Sequence, residues 1–518
     1  MSMAASRLLR GLALAVLGFL FIYPLALLLA LPLFNGWRGI SCWTALANSA
    51  GFALFTGVIA ALAGCLLAQA LETFSGKLVR LLDLGLWLLF LTPGYVLTTG
   101  WLVILANPAI RDSAFGGLFL GRPGLLFLYT LKALPFAVFV ARATFACAGA
   151  SLMEAAMVLG VVSWRRHLLR LRLALPAMAA AFTIAAIETM QEFGIPATLG
   201  VTAKIPILTY AIYQRLNTTP TDFAGAAALC WWLIGSAALL ALLQAAVQRR
   251  SQATLVHGRA RLAARTRPAS TTVALLAATA ALLWGLGLGA PLLALAAVAC
   301  GGEFADTDNL DAVTRSLGYG MLAASLALGA GLIILKLQQG RSAWFSGLLQ
   351  ALLAANLAVP GLILGAGYVI AFNNSVLPLY GTVLLLIIAY TAGALPAAIR
   401  LLGTAYGQLD AKLDEAARIF ALPRSTRWID IEAALLARPG LQAWLLVVAA
   451  VMFELPVSEL LYVPGAMPLG VAIVAADMMA RYDQAARLAL LGMAALAIIA
   501  AALNFGFRLA AAPARRAA

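Results

Sequence analysis

Glu154-Ala155-Ala156-Met157-Val158-Leu159-Gly160 and Glu415-Ala416-Ala417-Arg418-Ile419-Phe420-Ala421 stand 261 residues apart in a chain of 518. Each glutamate follows, at a distance of 19 residues, the proline of an identical tripeptide, Ala133-Leu134-Pro135 and Ala394-Leu395-Pro396. Two copies of one pattern at one spacing mean that the chain is a duplication. Glutamate and alanine are strong helix formers, and the small alanines leave a flat helix face that a partner can approach closely. Gly160 suits the left-handed conformation that ends a helix, and Pro423 suits the start of the next one. Each stretch therefore reads as a polar loop of helix, turn and second helix, near 151–172 and 408–434.

Everything around these loops is apolar. Hydrophobic residues make up 64% of the chain, charged residues only 11%, and the mean hydropathy is +0.97. A soluble domain is about 45–50% apolar and about 25% charged, so lipid must solvate most of this chain. About twelve segments approach the roughly 20 apolar residues of a spanning helix. They lie near 11–34, 46–71, 81–106, 124–148, 173–195 and 223–247, then near 271–300, 316–337, 345–372, 379–404, 436–458 and 485–511. The apolar run after Arg7 and Arg10 is too long for the roughly 7–15-residue core of a cleaved signal and reads as a retained first helix.

Between the sixth and seventh segments lies a basic linker, 248–269, with Arg249, Arg250, Arg259, Arg261, Arg265 and Arg267. The chain thus divides into a first six-helix module over 1–247 and a second over 270–518. With the N-terminus inside, 26 of the 35 Lys and Arg fall on inside segments, eight fall outside, and Lys132 lies within a span. That is the positive-inside bias, and it places both termini and both polar loops in the cytoplasm. Six spans per copy is an even number, so the copies enter the membrane alike, as a parallel repeat. The expected fold is an all-α integral membrane protein with about twelve transmembrane helices in two parallel six-helix repeats.

The net charge of +15 is accounted for by those loops. No basic run is interleaved with aromatics, as single-strand nucleic-acid binding requires, so no nucleic-acid partner is expected. The five cysteines form no CxxC pair, and His167 and His257 have no ligand at metal spacing. No resident metal, cofactor or catalytic group is expected. A phosphate loop of the Gly-x4-Gly-Lys-Ser/Thr type is also missing from the sequence.

Charges inside spans are costly and usually functional. Glu188 and Glu192 in the fifth span, Glu454 and Glu459 in or just after the eleventh, and Lys132 in the fourth are the candidates. Glu192 and Glu454 stand near Pro196 and Pro456, toward the outer ends of their helices, where they could line a translocation path. Pro93-Gly94 in the third span is echoed by Pro360-Gly361 in the ninth. Such mid-membrane breaks free backbone groups, which is tolerable only where protein or a water-filled cavity satisfies them.

The pattern Glu-Ala-Ala-x-x-x-Gly in a cytoplasmic loop resembles the permease subunits of binding-protein-dependent ABC importers, and the resemblance covers nearly the whole chain twice over. Glu188-Thr-Met-Gln-Glu-Phe-Gly-Ile-Pro-Ala-Thr-Leu-Gly200 and Phe453-Glu-Leu-Pro-Val-Ser-Glu-Leu-Leu461 are similar to stretches of the fused iron(III)-type permeases. Thiamine, polyamine and phosphonate permeases share much of this, so the substrate stays open, and a twelve-span secondary transporter is the alternative mechanism. The resemblance implies a transport subunit rather than an enzyme, in a bacterial inner membrane. It implies two copies of an ABC ATPase subunit that use ATP and Mg, and a periplasmic or lipid-anchored binding protein. The residues it implies for ATPase docking are Glu154, Ala155, Ala156 and Gly160 in one loop, and Glu415, Ala416, Ala417 and Ala421 in the other. Two departures stand out. Ala421 replaces the family's glycine, and Arg172 and Ala434 lie near where its leucine-proline is expected, while Pro176 and Pro439 match a later proline. The two dockings are therefore expected to be unequal.

Overall fold

A computed structural model describes residues 3–37, 42–147, 158–252, 270–301, 307–338, 343–409, 413, 417, 419–420 and 423–511. Among them there are helices and no strand. Ten helices are long and apolar enough to cross a bilayer, the first at Leu8–Phe34 and the last at Tyr482–Leu503. The chain is an all-α integral membrane protein.

Twelve unbroken spans are not what forms. The expected third span is two helices, Lys77–Leu91 and Gly94–Leu105, turned by 97° at their junction; counted as one bent span they bring the candidate crossings among the described residues to eleven. The ninth is likewise divided, into Ala343–Ala358 and Gly361–Phe372. Proline causes both breaks. It has no N–H to donate, and it forces the residue before it out of the helical region. Pro93 and Pro360 are both extended, at φ/ψ of −63°/146° and −56°/142°.

The chain forms two compact units, and they are not the two sequence halves. One unit contains 1–34, 303–476 and 487–518; the other contains 35–302 and 477–486. Each half therefore contributes its first span to the unit built mainly from the other half. The joints that hold these first spans are the same joint made twice. Pro24 cannot donate to the carbonyl of Leu20, and the Tyr368 hydroxyl donates to that carbonyl instead, at 3.1 Å. Gly367 lies so close that a Cβ there would come within 3.0 Å of the Pro24 carbonyl. In the other unit Pro291 packs on Gly100, where a Cβ would meet the Pro291 ring at 2.6 Å. Both proline and glycine are displaced by 267 residues between the two joints. The Trp284 indole N–H donates to the Leu81 carbonyl at 3.0 Å and adds a second tie in that unit. Both first spans also pass through a π-helical segment, Gly18–Ile22 and Leu283–Gly289.

Small residues set the helix spacing. In the unit of 35–302, Ala60, Ala61, Ala137 and Ala181 are buried in one core cluster, and a Cβ on Gly64 would meet Ala137 at 2.8 Å. Lipid supplies no hydrophobic drive for helices to associate, so close backbone approach and dispersion do that work.

A second matched anchor holds a short helix to a long span in each unit. The Ser49 hydroxyl accepts the Leu208 N–H at 2.9 Å, at the start of Leu208–Asn217. The Ser316 hydroxyl accepts the Leu469 N–H at 2.6 Å, at the start of Leu469–Met478. Both serines are buried. Ser49→Ala and Ser316→Ala each leave a buried donor without its acceptor, and each is expected to lower stability by about 1–2 kcal/mol. Thermal unfolding of the detergent-solubilised protein measures this. Equal shifts are expected from the two variants, because the anchors are the same.

Candidate functional site at the broken spans

Sequence matching pairs Pro93-Gly94 with Pro360-Gly361, and separately Glu192 with Glu454. The fold brings the two pairs together. In each unit the glycine that follows the break proline faces the glutamate that ends a long helix.

In the unit of 35–302, Ser163–Gln191 ends and Glu192 takes an extended conformation. Its Oε1 turns onto the chain just ahead and accepts the N–H groups of Gly194 and Ile195, at 3.0 and 3.3 Å. These are orphan donors at a helix start, which a carboxylate satisfies with both hydrogen bonds and charge. Pro196 follows in the π-helical segment Pro196–Gly200 and is buried. The Glu192 carbonyl accepts from the Thr209 hydroxyl at 2.9 Å. Gly94 lies directly against this turn: a Cβ on it would sit 2.8 Å from Glu192 Oε1 and 3.2 Å from Ile195.

The other unit repeats the arrangement with a stronger cap. Glu454 follows Ala434–Met452, and its carboxylate accepts from Val457 N at 2.7 Å, Ser458 N at 2.9 Å and Ser458 Oγ at 2.7 Å. The Tyr390 hydroxyl joins Ser458 Oγ at 2.6 Å. Pro456 occupies the first turn of Pro456–Leu461, where no N–H is needed. Gly361 faces Glu454 with more room, its nearest neighbours 3.6–3.7 Å from a built Cβ. Glu459 sits in the same short helix, outside the cap. Tyr462, beyond the spans, has its phenol held above the ordinary tyrosine range by burial and then by the neighbouring Glu459 carboxylate. Glu188, Glu192, Glu454 and Glu459 all stay partly exposed.

Lys132 belongs to the first of these joints. Its ammonium donates to the carbonyls of Phe90 and Thr92, at 3.2 and 2.9 Å, which the break at Pro93 leaves without helical partners.

Of the residues expected to dock an ATPase, Glu154, Ala155, Ala156, Glu415, Ala416 and Ala421 lie outside the described residues. Gly160 has φ +66°, the left-handed conformation expected for it. Ala417 is buried. The sequence reading passed over an apolar pair in each loop. Val158 and Leu159 are 86% and 79% exposed, and their counterparts 261 residues on, Ile419 and Phe420, are 82% and 78% exposed. The signal was present, four and five residues after each glutamate, but only the fold could say that no helix among the described residues covers it.

The roots of the loops differ. Arg142, near the end of the helix leading into the first loop, pairs with Glu72 at 2.8 Å and Asp83 at 2.7 Å. In the other unit the Lys336 ammonium lies 3.3 Å from Glu432 and 3.3 Å from the centre of the Trp428 ring, on the helix that follows the second loop.

Over 260 residues the chain is 26% identical to a putative ferric transport system permease protein, FbpB 1, of Haemophilus influenzae, a match covering 46% of this chain and 40% of that one. Over 259 residues it is 26% identical to the ferric transport system permease protein FbpB of Actinobacillus pleuropneumoniae, covering 46% and 37%. The match spans about two fifths of the length of these curated relatives. No family model matches the chain, and no solved structure matches it.

Proposed function

We propose that this chain is the membrane permease of an ATP-driven importer, with ferric iron as its substrate. The observation that carries the reading is the pair of loops. Each has a Glu-Ala-Ala stretch followed by two exposed apolar residues, at one spacing, on the arginine-rich side of the membrane. An exposed apolar pair in a polar loop calls for a partner that covers it, and the chain needs an ATPase because its sequence has no phosphate loop. In this reading two ATPase subunits dock on the loops in the cytoplasm. A binding protein delivers substrate at the outer face, and ATP-driven closure of the ATPase pair is passed through the loops to the broken spans. Access then alternates between the two faces of the membrane. Two six-helix modules in one chain supply both dockings.

The names of the two relatives support ferric iron, and the chemistry agrees with them. A hard trivalent cation prefers oxygen ligands, and Glu188, Glu192, Glu454 and Glu459 are the carboxylates available along the path. Glu192 and Glu454 act first as caps that fix the short helices, so their carboxylates are held rather than free to follow the substrate.

Glu154→Arg with Glu415→Arg is expected to abolish co-purification of the cognate ATPase subunit and to reduce ATP-dependent uptake of radioactive iron at least tenfold. Full retention of the ATPase by this double variant would show that the loops are not the docking sites. ATP-dependent uptake that is unaffected by a ferric chelator, in the presence of the cognate binding protein, would remove iron as the substrate.

A further inference from the structure

The two polar loops are tied to their units at opposite ends. In the unit of 35–302 the tie is on the helix that leads into the loop, Arg122–Cys147. Arg142 on that helix donates from Nε to Glu72 at 2.8 Å and from Nη1 to Asp83 at 2.7 Å. Glu72 stands at the end of Trp43–Thr73, and Asp83 belongs to Lys77–Leu91, the first piece of the broken third span. Lys132, on the same helix as Arg142, donates to the carbonyls of Phe90 and Thr92 where that piece ends. Lys132 and Arg142 are ten residues apart, about 15 Å of helix. Asp83 and Thr92 are nine apart. Two basic side chains of one helix thus clamp the second half of this piece at both its ends.

In the other unit the tie is on the helix that leads out of the loop. The Lys336 ammonium, near the end of Thr307–Gln338, lies 3.3 Å from the Glu432 carboxylate and 3.3 Å from the centre of the Trp428 ring. Trp428 and Glu432 stand on the π-helical segment Arg427–Ala433, which runs on directly as Ala434–Met452 toward Glu454. Each copy lacks the charges of the other. At the repeat spacing of 261, Gly393 and Gly403 replace Lys132 and Arg142. At the spacing of 267, Gln339 and Gln350 replace Glu72 and Asp83, and Gln69 stands where the second copy has Lys336. Gly403 packs on Leu335 instead, 3.4 Å from a built Cβ to the leucine Cδ2. The stretch leading out of the first loop, 161–172, contains no acidic residue that could act as Glu432 does. Each copy can therefore make its own tie and not the other.

We propose that Arg142 and the Lys336–Glu432 pair are positioning residues that couple the two loops to different parts of the membrane domain. The first loop acts through its incoming helix on the break at Pro93. The second acts through its outgoing helix on the capped end at Glu454. What the loops receive rests on the permease reading; where they are tied does not. An isolated exposed ion pair would be too weak for this. Arg142 is only 26% exposed and holds two carboxylates on two helices, with charge-assisted bonds from a rigid fork. Lys336 is 40% exposed, and its tie is a point charge reinforced by a cation–π contact. The first tie is therefore the firmer of the two.

The test uses the full chain with its ATPase and binding protein, in Arg142→Gln, Glu432→Gln and the charge swap Lys336→Glu with Glu432→Lys. Two readouts are taken: backbone hydrogen exchange along the chain, and uptake of radioactive ferric iron per ATP hydrolysed. Arg142→Gln is expected to raise exchange in 77–91 and at the loop end of 122–147 at least about fivefold, and to leave 427–452 within about twofold. Glu432→Gln should do the converse, raising exchange in 427–438 and leaving 383–406 unchanged. Each should cut uptake per ATP at least about threefold while the ATPase still co-purifies, and the swap should return it to within about twofold of the parent. If Arg142→Gln cannot be purified, Arg142→Lys, which keeps the charge but not the fork, should give the same exchange pattern at smaller size. Exchange that rises on both sides of a loop, or on neither, overturns the opposite ties. The expected exchange pattern with unchanged uptake per ATP overturns the coupling role and leaves the ties structural only. A parent complex that takes up no iron counts against the permease reading, while the exchange pattern still decides where each loop is tied.

Discussion

Gly94→Ala is expected to disable the first joint, while Gly361→Ala leaves the second nearly intact. A Cβ at residue 94 would stand 2.8 Å from Glu192 Oε1, a distance that atoms in folded proteins do not keep. The Phe90–Gly94 backbone is already pinned by Lys132, so the carboxylate is the group that must move. Moving it gives up the bonds to the N–H groups of Gly194 and Ile195. Overpacking of this kind costs about 1–3 kcal/mol, and each buried donor left unmet adds to that. At Gly361 the same methyl would meet its neighbours at 3.6–3.7 Å, ordinary contact. The comparison of the two variants by thermal unfolding and by uptake is therefore internally controlled: the same substitution, at the same place in the repeat, with opposite outcomes. Equal tolerance of both would mean that the Gly94 joint is looser than described.

Glu454→Ala is expected to be the most damaging single truncation at either joint, at about 3 kcal/mol. Its carboxylate accepts two backbone N–H groups and the Ser458 hydroxyl, all within 2.9 Å. Hydrogen bonds to a charged group are worth about 1.5–3 kcal/mol each, and a buried donor left behind has its own penalty. The loss would also free Ser458, to which Tyr390 is bonded. Glu454→Gln should fall about halfway, since an amide offers only one oxygen to the three donors. Glu192→Ala removes an acceptor with two donors at longer range and should cost less than Glu454→Ala. Chemical denaturation of the four proteins gives the order directly, and the reverse order would remove Glu454 as the principal cap.

Much of this was legible before any coordinates. The repeat, the membrane class and the pairing of Glu192 with Glu454 all follow from residues that recur at fixed spacing. What the sequence could not disclose was three-dimensional closure. Hydropathy treats 81–106 as one apolar run, because Pro93 changes direction without changing polarity. Nor does any local pattern tell Gly94 that its neighbour will be Glu192, almost a hundred residues on. The repeat spacing itself shifts from 267 at Gly100 and Gly367 to 261 at Lys132 and Gly393. The six extra residues fall where the first copy forms two short helices, Pro108–Arg111 and Ala114–Phe119, and the second has the stretch 373–382. In the two polar loops, the glutamates were conspicuous and the exposed apolar pairs were not. An apolar residue in an apolar chain attracts no notice until its surroundings are known.

The reciprocal placement of the first spans has a consequence for biosynthesis. The helix that begins at residue 3 belongs with residues 303–476, so it must wait in the bilayer while 35–302 are synthesised. At roughly 5–20 residues per second that is a delay of about 13–54 s. In water an unpartnered apolar helix would aggregate over such an interval. In lipid it is already solvated, because acyl chains are as apolar as leucine. The unit of 35–302 waits in turn for 477–486. A ribosome that stalled midway would thus leave inserted helices without a finished unit, and cleavage within 253–269 would yield two fragments that each need the other to fold.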